Sequence, residues 1–226
     1  KTKTQKTNMK LTTNFAVLGS LLLAASSNAA LVNITATAYD AADIVTAGSQ
    51  IFALNADAVA GTSSEGGVTW TNFTTASTLP AGLTVFAGTG TDDAGNGTAG
   101  TLTAERVFGG ASDVISISGL ADGNYVIQLM MSDTRALGGT NNLTADFDND
   151  GIDATIAVTG TGGLVTAEFS IAGGATQDIV LRQATGVGNF AGGVSAIQLR
   201  TAAVPEPSST ALLGLGGLTL ILRRRK

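Results

Sequence analysis

Apolar and polar residues alternate along most of the chain. Across residues 31–39, Val32, Ile34, Ala36 and Ala38 fall on one side of an extended chain, and Asn33, Thr35 and Thr37 on the other. That period of two marks a half-buried β-strand. The same pattern predicts strands over 68–73, 83–86, 113–118, 125–131, 143–147, 154–158, 164–171, 178–181 and 194–200. Turn-forming clusters separate them: the Gly-, Asp- and Asn-rich stretch 88–97, then Asp122-Gly123, Gly138-Gly139, Gly162-Gly163, Gly173-Gly174 and Gly192-Gly193. Short strands with frequent turns predict an all-β domain, a sandwich or barrel, rather than βαβ units. The Ala-rich stretch 40–60 predicts a helical turn or two, and no repeat of fixed period is present.

Composition narrows the chemistry. The chain has 226 residues, of which 44% are hydrophobic and 13% charged, with 30 glycines and neither cysteine nor histidine. The length fits one domain with accessory segments. Missing Cys and His remove a disulfide framework, Cys-ligated zinc, a Ser-His-Asp triad and a thiol nucleophile. The net charge of −5 hides an asymmetry, because eight of the 12 basic residues sit at the two ends. Residues 31–203 carry four arginines against 16 acids. Such a body repels phosphate backbones, which excludes nucleic acid as a partner.

Both ends read as addresses. Met9 and Lys10 precede an apolar run over 15–25, and Ser27-Asn28-Ala29 offers small residues at the −3 and −1 positions. This is a signal-peptide pattern, its apolar core too short to span a bilayer. It predicts residues 1–29 as the signal, signal peptidase as a partner and cleavage after Ala29. Residues 1–8 read as a misassigned start ahead of Met9. The C-terminus runs Val204-Pro205-Glu206-Pro207, then an uncharged stretch 211–222, then Arg223-Arg224-Arg225-Lys226. Two prolines in three residues prevent regular structure. As a helix, residues 208–222 would rise about 22 Å, short of the ~30 Å hydrocarbon core. The pattern predicts a short transmembrane helix that anchors the chain transiently in the inner membrane, its basic end cytoplasmic.

That tripartite tail, residues 204–226, resembles the PEP-CTERM sorting signal. The resemblance implies processing by an exosortase, an integral-membrane transpeptidase-like enzyme of Gram-negative bacteria that make exopolysaccharide. The family's recognition residues map onto Pro205, Glu206 and Pro207, preceded by Val204. An uncut tail anchor is the alternative. Within the body, the turn and strand over 119–129, the strand 144–147 and the strand 193–200 resemble jelly-roll modules of the galactose-binding-like and malectin-like type. That resemblance implies a single jelly-roll-like β-sandwich over 30–203 and carbohydrate contact.

Three kinds of chemistry compete in the body. Paired carboxylates hydrolyse glycosides, and Asp92, Asp93, Glu105 and Glu168 are the nominees. The body lacks His and Lys as acid–base partners, so the expectation is no enzyme. A sugar platform needs exposed aromatics, and Trp70, Tyr39 and Tyr125 are the candidates. Alternation around Trp70 points to core burial instead. A metal loop is the third. Asp146, Asp148 and Asp150 followed by Gly151 repeat the spacing with which calcium loops begin. The run resembles the first half of an EF-hand loop, but position twelve is Ala157 and no helical pattern flanks it. Two readings stay open, a calcium-binding β-turn or a solvated acidic turn shaped by Asn149-Asp150-Gly151.

Together these features predict an exported, exosortase-processed protein at the outer surface of a Gram-negative bacterium. The expected role is a structural or binding component of an exopolysaccharide matrix or envelope. A carbohydrate-binding module is the alternative, and a glycan-active enzyme comes third. No cofactor is expected beyond calcium.

Overall fold

Fifteen strands and a single 3-10 turn make up the regular structure of the computed structural model, which describes residues 29–57, 59–74, 77–85, 90–93, 102, 105–108, 112–132, 142–148, 150–157, 162–185 and 193–203. The strands are β1 (Ala30–Ala38), β2 (Gln50–Ala56), β3 (Thr62–Glu65), β4 (Val68–Phe73), β5 (Leu83–Val85), β6 (Gly90–Asp93), β7 (Glu105–Phe108) and β8 (Ser112–Ile117). They continue with β9 (Gly123–Met131), β10 (Asn142–Asp146), β11 (Ala154–Ala157), β12 (Gly163–Ile171), β13 (Gln177–Thr185), β14 (Gly193–Val194) and β15 (Ala196–Thr201).

Two sheets form the sandwich. A seven-stranded sheet runs β1-β12-β9-β15-β2-β4-β3, and a five-stranded sheet runs β11-β10-β13-β8-β5. A smaller sheet, β14-β7-β6, accompanies them. From β8 onward the chain repeatedly crosses between the two main sheets, as in a jelly roll: β8 lies in the five-stranded sheet, β9 in the other, β10 and β11 back in the first, then β12 and β13 on opposite sides. Pairing is antiparallel throughout except between β2 and β4. The all-β sandwich expected from the alternation is the fold observed.

Alternation also decides where the core sits. Phe52, Ile127, Leu129, Val165 and Ile197 from one sheet meet Ile115, Ile117, Leu143, Ile179 and Leu181 from the other. The opposite face of the seven-stranded sheet carries a second apolar cluster of Ala53, Val68, Trp70, Met130, Leu164 and Ala196, covered by Ile44 and Leu102. The segment between β1 and β2 is thus a lid on that outer face.

This lid corrects the expectation for 40–60. Only Ala41–Asp43 forms a turn of 3-10 helix, capped by the Asp40 carboxylate accepting from the Ala42 N–H at 2.9 Å. The chain then enters β2, whose five last residues are all buried. Both of its faces are covered by apolar clusters, so no period of two survives in its sequence. The stretch 88–97, expected to be a turn, contains β6, which pairs with β7. In β1 the register shifts between Leu31 and Asn33. This bulge turns Val32 outward, 63% exposed, while Leu31 and Ile34 pack on the core.

Candidate functional site

The β10–β11 hairpin builds the acidic site. Ala145 pairs with Ala154, so the next positions toward the loop, Asp146 and Asp153, face one another. Leu143, Ala145 and Phe147 point into the core, which leaves Thr144 and Asp146 on the other face of the strand. Asp146 is nonetheless only 3% exposed.

Hydrogen bonds fix the loop. Phe147, itself buried, donates its N–H to Asp153 Oδ2 at 2.6 Å. The Asp153 N–H donates to the Ala145 carbonyl at 3.0 Å, closing the hairpin. Asp150 donates its N–H to Asp148 Oδ1 at 3.2 Å, a local turn that Asp favours. Arg182, on the adjacent β13, reaches Asp146 Oδ2 at 3.3 Å, and its side chain is 43% exposed. The buried Gln177 donates its side-chain amide to the Phe147 carbonyl and, at 2.9 Å, to that of Asp178.

The carboxylates of Asp146, Asp148 and Asp153 come together, their ligand oxygens all within 4.8 Å of one another. Asp150, the third position of the expected run, is not in this group and is exposed. Its carboxyl pKa is raised from the ordinary aspartate value, first by hydrogen bonding with Asp148 and then by that neighbour's charge. Asp153 takes its place because the returning strand carries it back. A count forward from Asp146 misses it, whereas the hairpin register of the alanines on either side would have found it.

The other nominated residues are placed apart. Trp70 is fully buried and donates its Nε1–H to the Glu65 carbonyl at 3.1 Å. Tyr125 is 6% exposed, donates to the Ala121 carbonyl at 2.7 Å and stacks on Phe169 with centroids 5.7 Å apart. Tyr39 is half-buried and donates to Glu65 Oε1. Among the described residues, no aromatic side chain stands exposed as a sugar platform. Glu168 lies on the exposed face of β12, in the seven-stranded sheet, whereas the hairpin belongs to the five-stranded one. Asp93 pairs in register with Glu105, and Asp92 with Arg106, between β6 and β7.

Among the described residues, two grooves lie on the sandwich. One of about 410 Å³ is lined by Phe52, Leu54, Thr71, Leu79 and Pro80 among others, and one of about 270 Å³ by Thr37, Thr155, Ile156 and neighbours. Neither is lined by an ionisable side chain. Ala29, the expected cleavage position, is 4% exposed in the core and donates its N–H to the Thr176 carbonyl at 3.2 Å. Val204, Pro205, Glu206, Pro207, Arg223, Arg224 and Arg225 lie outside the described residues, as does the expected signal segment before Ala29. Among the described residues, no helix is long and apolar enough to cross a membrane.

Comparison with known proteins places the tail. Residues 203–226 match the PEP-CTERM protein-sorting motif. No curated protein matches the chain. Among solved structures, a double Asp-to-Ala "calcium binding mutant" of Bacteroides uniformis β-glucuronidase 2 superposes with a TM-score of 0.46 at 16% identity, over 66% of this chain and 18% of that one. The same enzyme bound covalently to cyclophellitol-6-carboxylate aziridine gives 0.45 at 16% identity, over 66% and 17%. The chain thus spans less than a fifth of the length of these structures. The motif marks an exported protein sorted by exosortase.

Proposed function

We propose that this chain is a non-catalytic component of an exopolysaccharide matrix or cell envelope, delivered to the outer surface of a Gram-negative bacterium and released from its membrane anchor by exosortase. The sorting motif at 203–226 carries the reading, because it ties the chain to an export route. Two features of the body support it. The two grooves among the described residues offer no acid–base pair, and general acid–base chemistry requires one in reach of a substrate. Among the described residues, Trp70 and Tyr125 are buried and Tyr39 is half-buried against Glu65, which favours a structural body over a dedicated carbohydrate-binding module.

Fractionation of cells producing the chain tests the proposal. The expected outcome is a body recovered with the surface polysaccharide and released when that polysaccharide is digested. Recovery only from the inner membrane, or only as free protein in the medium, overturns it.

A further inference from the structure

We propose that Asp146, Asp148 and Asp153 together hold one calcium ion at the closed end of the β10–β11 hairpin. Two independent observations carry the assignment. The first is convergence: three carboxylates from a loop of eight residues place ligand oxygens within 4.8 Å of one another. Calcium binds oxygen at about 2.3–2.6 Å, so two ligands on opposite sides of one ion stand about 4.8 Å apart. Three oxygens within that span can share a single ion of that size. Calcium accepts an irregular set of oxygens such as this hairpin offers, whereas magnesium demands near-ideal octahedral geometry at about 2.1 Å.

The second observation is an orphaned atom. Asp146 is 3% exposed, and its Oδ1 makes no hydrogen bond among the described residues. Buried carboxylate oxygens are ordinarily satisfied by a donor or a metal. Arg182 does not fill that role, since it engages only Oδ2, at 3.3 Å, from a side chain that is 43% exposed. A second orphan adjoins the loop: Gln177 Oε1 is buried without a partner, while its amide nitrogen holds the Phe147 carbonyl between Asp146 and Asp148. Charge points the same way. Three clustered carboxylates against one guanidinium leave an excess of negative charge that a divalent cation offsets. With only carboxylate and amide oxygens at hand, the donor set is hard, as calcium prefers.

Calcium binding at this hairpin does not depend on a role in a matrix. The site differs from the spacing of the Asp146, Asp148 and Asp150 run in one testable residue, since Asp153 ligates and Asp150 does not. Calorimetric titration of the full chain in detergent with calcium chloride decides it. The expected result is one ion per chain, with Kd on the order of 0.1–1 mM, the range of extracellular calcium modules. Asp153→Asn weakens binding about tenfold or more, and Asp150→Asn changes it less than about threefold. Each variant is measured together with its melting curve in chelator, so a folding defect is seen as such, and titration of the unsubstituted chain is decisive by itself. No calcium heat in that chain overturns the proposal. So does equal affinity for magnesium, or an Asp150→Asn loss as large as that of Asp153→Asn.

Discussion

Arg200 donates an Nη2–H to the carbonyl of Thr46, 2.7 Å away and 154 residues earlier in the chain. The same guanidinium reaches the carbonyls of Ala47 and Gly48, both at 2.8 Å, and the side-chain oxygens of Gln50 and Gln198. All five of its N–H donors are thereby used. Gln198 and Gln128 extend the row across the sheet, holding Val45 and Asp43. This polar row clamps the lid over the outer apolar cluster. Arg200→Ala leaves several acceptors unpaired beneath the lid, at an expected cost of about 2–4 kcal/mol. Arg200→Lys recovers little of it, because an ammonium cannot span the same fork of acceptors. Denaturant unfolding measures both, and a loss under about 0.5 kcal/mol would show the clamp to be incidental.

Gly48 sits where the lid rejoins β15. Its φ is 75°, and a Cβ there would lie 1.9 Å from the Thr201 carbonyl oxygen. Gly48→Ala meets both a left-handed backbone and a backbone clash that no rotamer relieves. The expected loss is about 1–3 kcal/mol, read from thermal or denaturant unfolding. Gly174→Ala shares a φ of 75° but has open space around it, so it isolates the backbone part and should cost less.

Tyr39 donates to Glu65 Oε1, and Glu65 Oε2 in turn accepts the Leu102 N–H at 3.1 Å. Burial, then the hydrogen bond to Glu65 and its charge, raise the Tyr39 hydroxyl well above the ordinary tyrosine value. The unfolded chain releases that proton near pH 10, while the folded protein keeps it. Stability from this group is therefore complete below about pH 10 and declines as pH rises beyond it. Tyr39→Phe should lower stability near neutrality and flatten the alkaline decline. Identical alkaline limbs in the two proteins would contradict the pairing.

The sorting tail makes its own prediction. Replacing Pro205, Glu206 and Pro207 with alanine should leave the chain in the inner membrane with its Arg cluster attached. Mass spectrometry of the mature surface protein should find a C-terminus near residues 204–207. An intact Lys226 on that protein would favour a permanent tail anchor.

How much of this was legible in the sequence depended on which faces each strand covers. β4 and β12 read correctly because one face is buried and the other wet, and Val68, Trp70 and the exposed Thr69 and Thr71 between and beyond them show it. β2 was hidden because Phe52 and Ala53 serve different apolar clusters on its two faces. β6 was hidden by its composition, Gly-Thr-Asp-Asp, which reads as a turn. In the acidic site, Asp146 and Asp148 were visible by spacing. Asp153 was not, because its proximity comes from strand pairing rather than from any local pattern. Arg200 carried no signal at all, since its main acceptors are backbone carbonyls, which have no residue type.

The bulge in β1 can be tested in the same terms. Strict alternation puts Val32 and Ile34 on one face and Leu31 on the other. The register shift between Leu31 and Asn33 instead brings Leu31 and Ile34 onto the core and leaves Val32 63% exposed. An extra residue in one strand does this by opposing two positions to one on the partner, here β12. Leu31→Ala and Ile34→Ala should therefore each cost about 1–2 kcal/mol, reduced from full-burial values because both side chains are only partly covered. Val32→Ala should stay within about 0.5 kcal/mol. Three denaturation curves distinguish the alternatives. If Val32→Ala destabilises as much as Ile34→Ala while Leu31→Ala is silent, the strand is regular and the bulge is absent in solution.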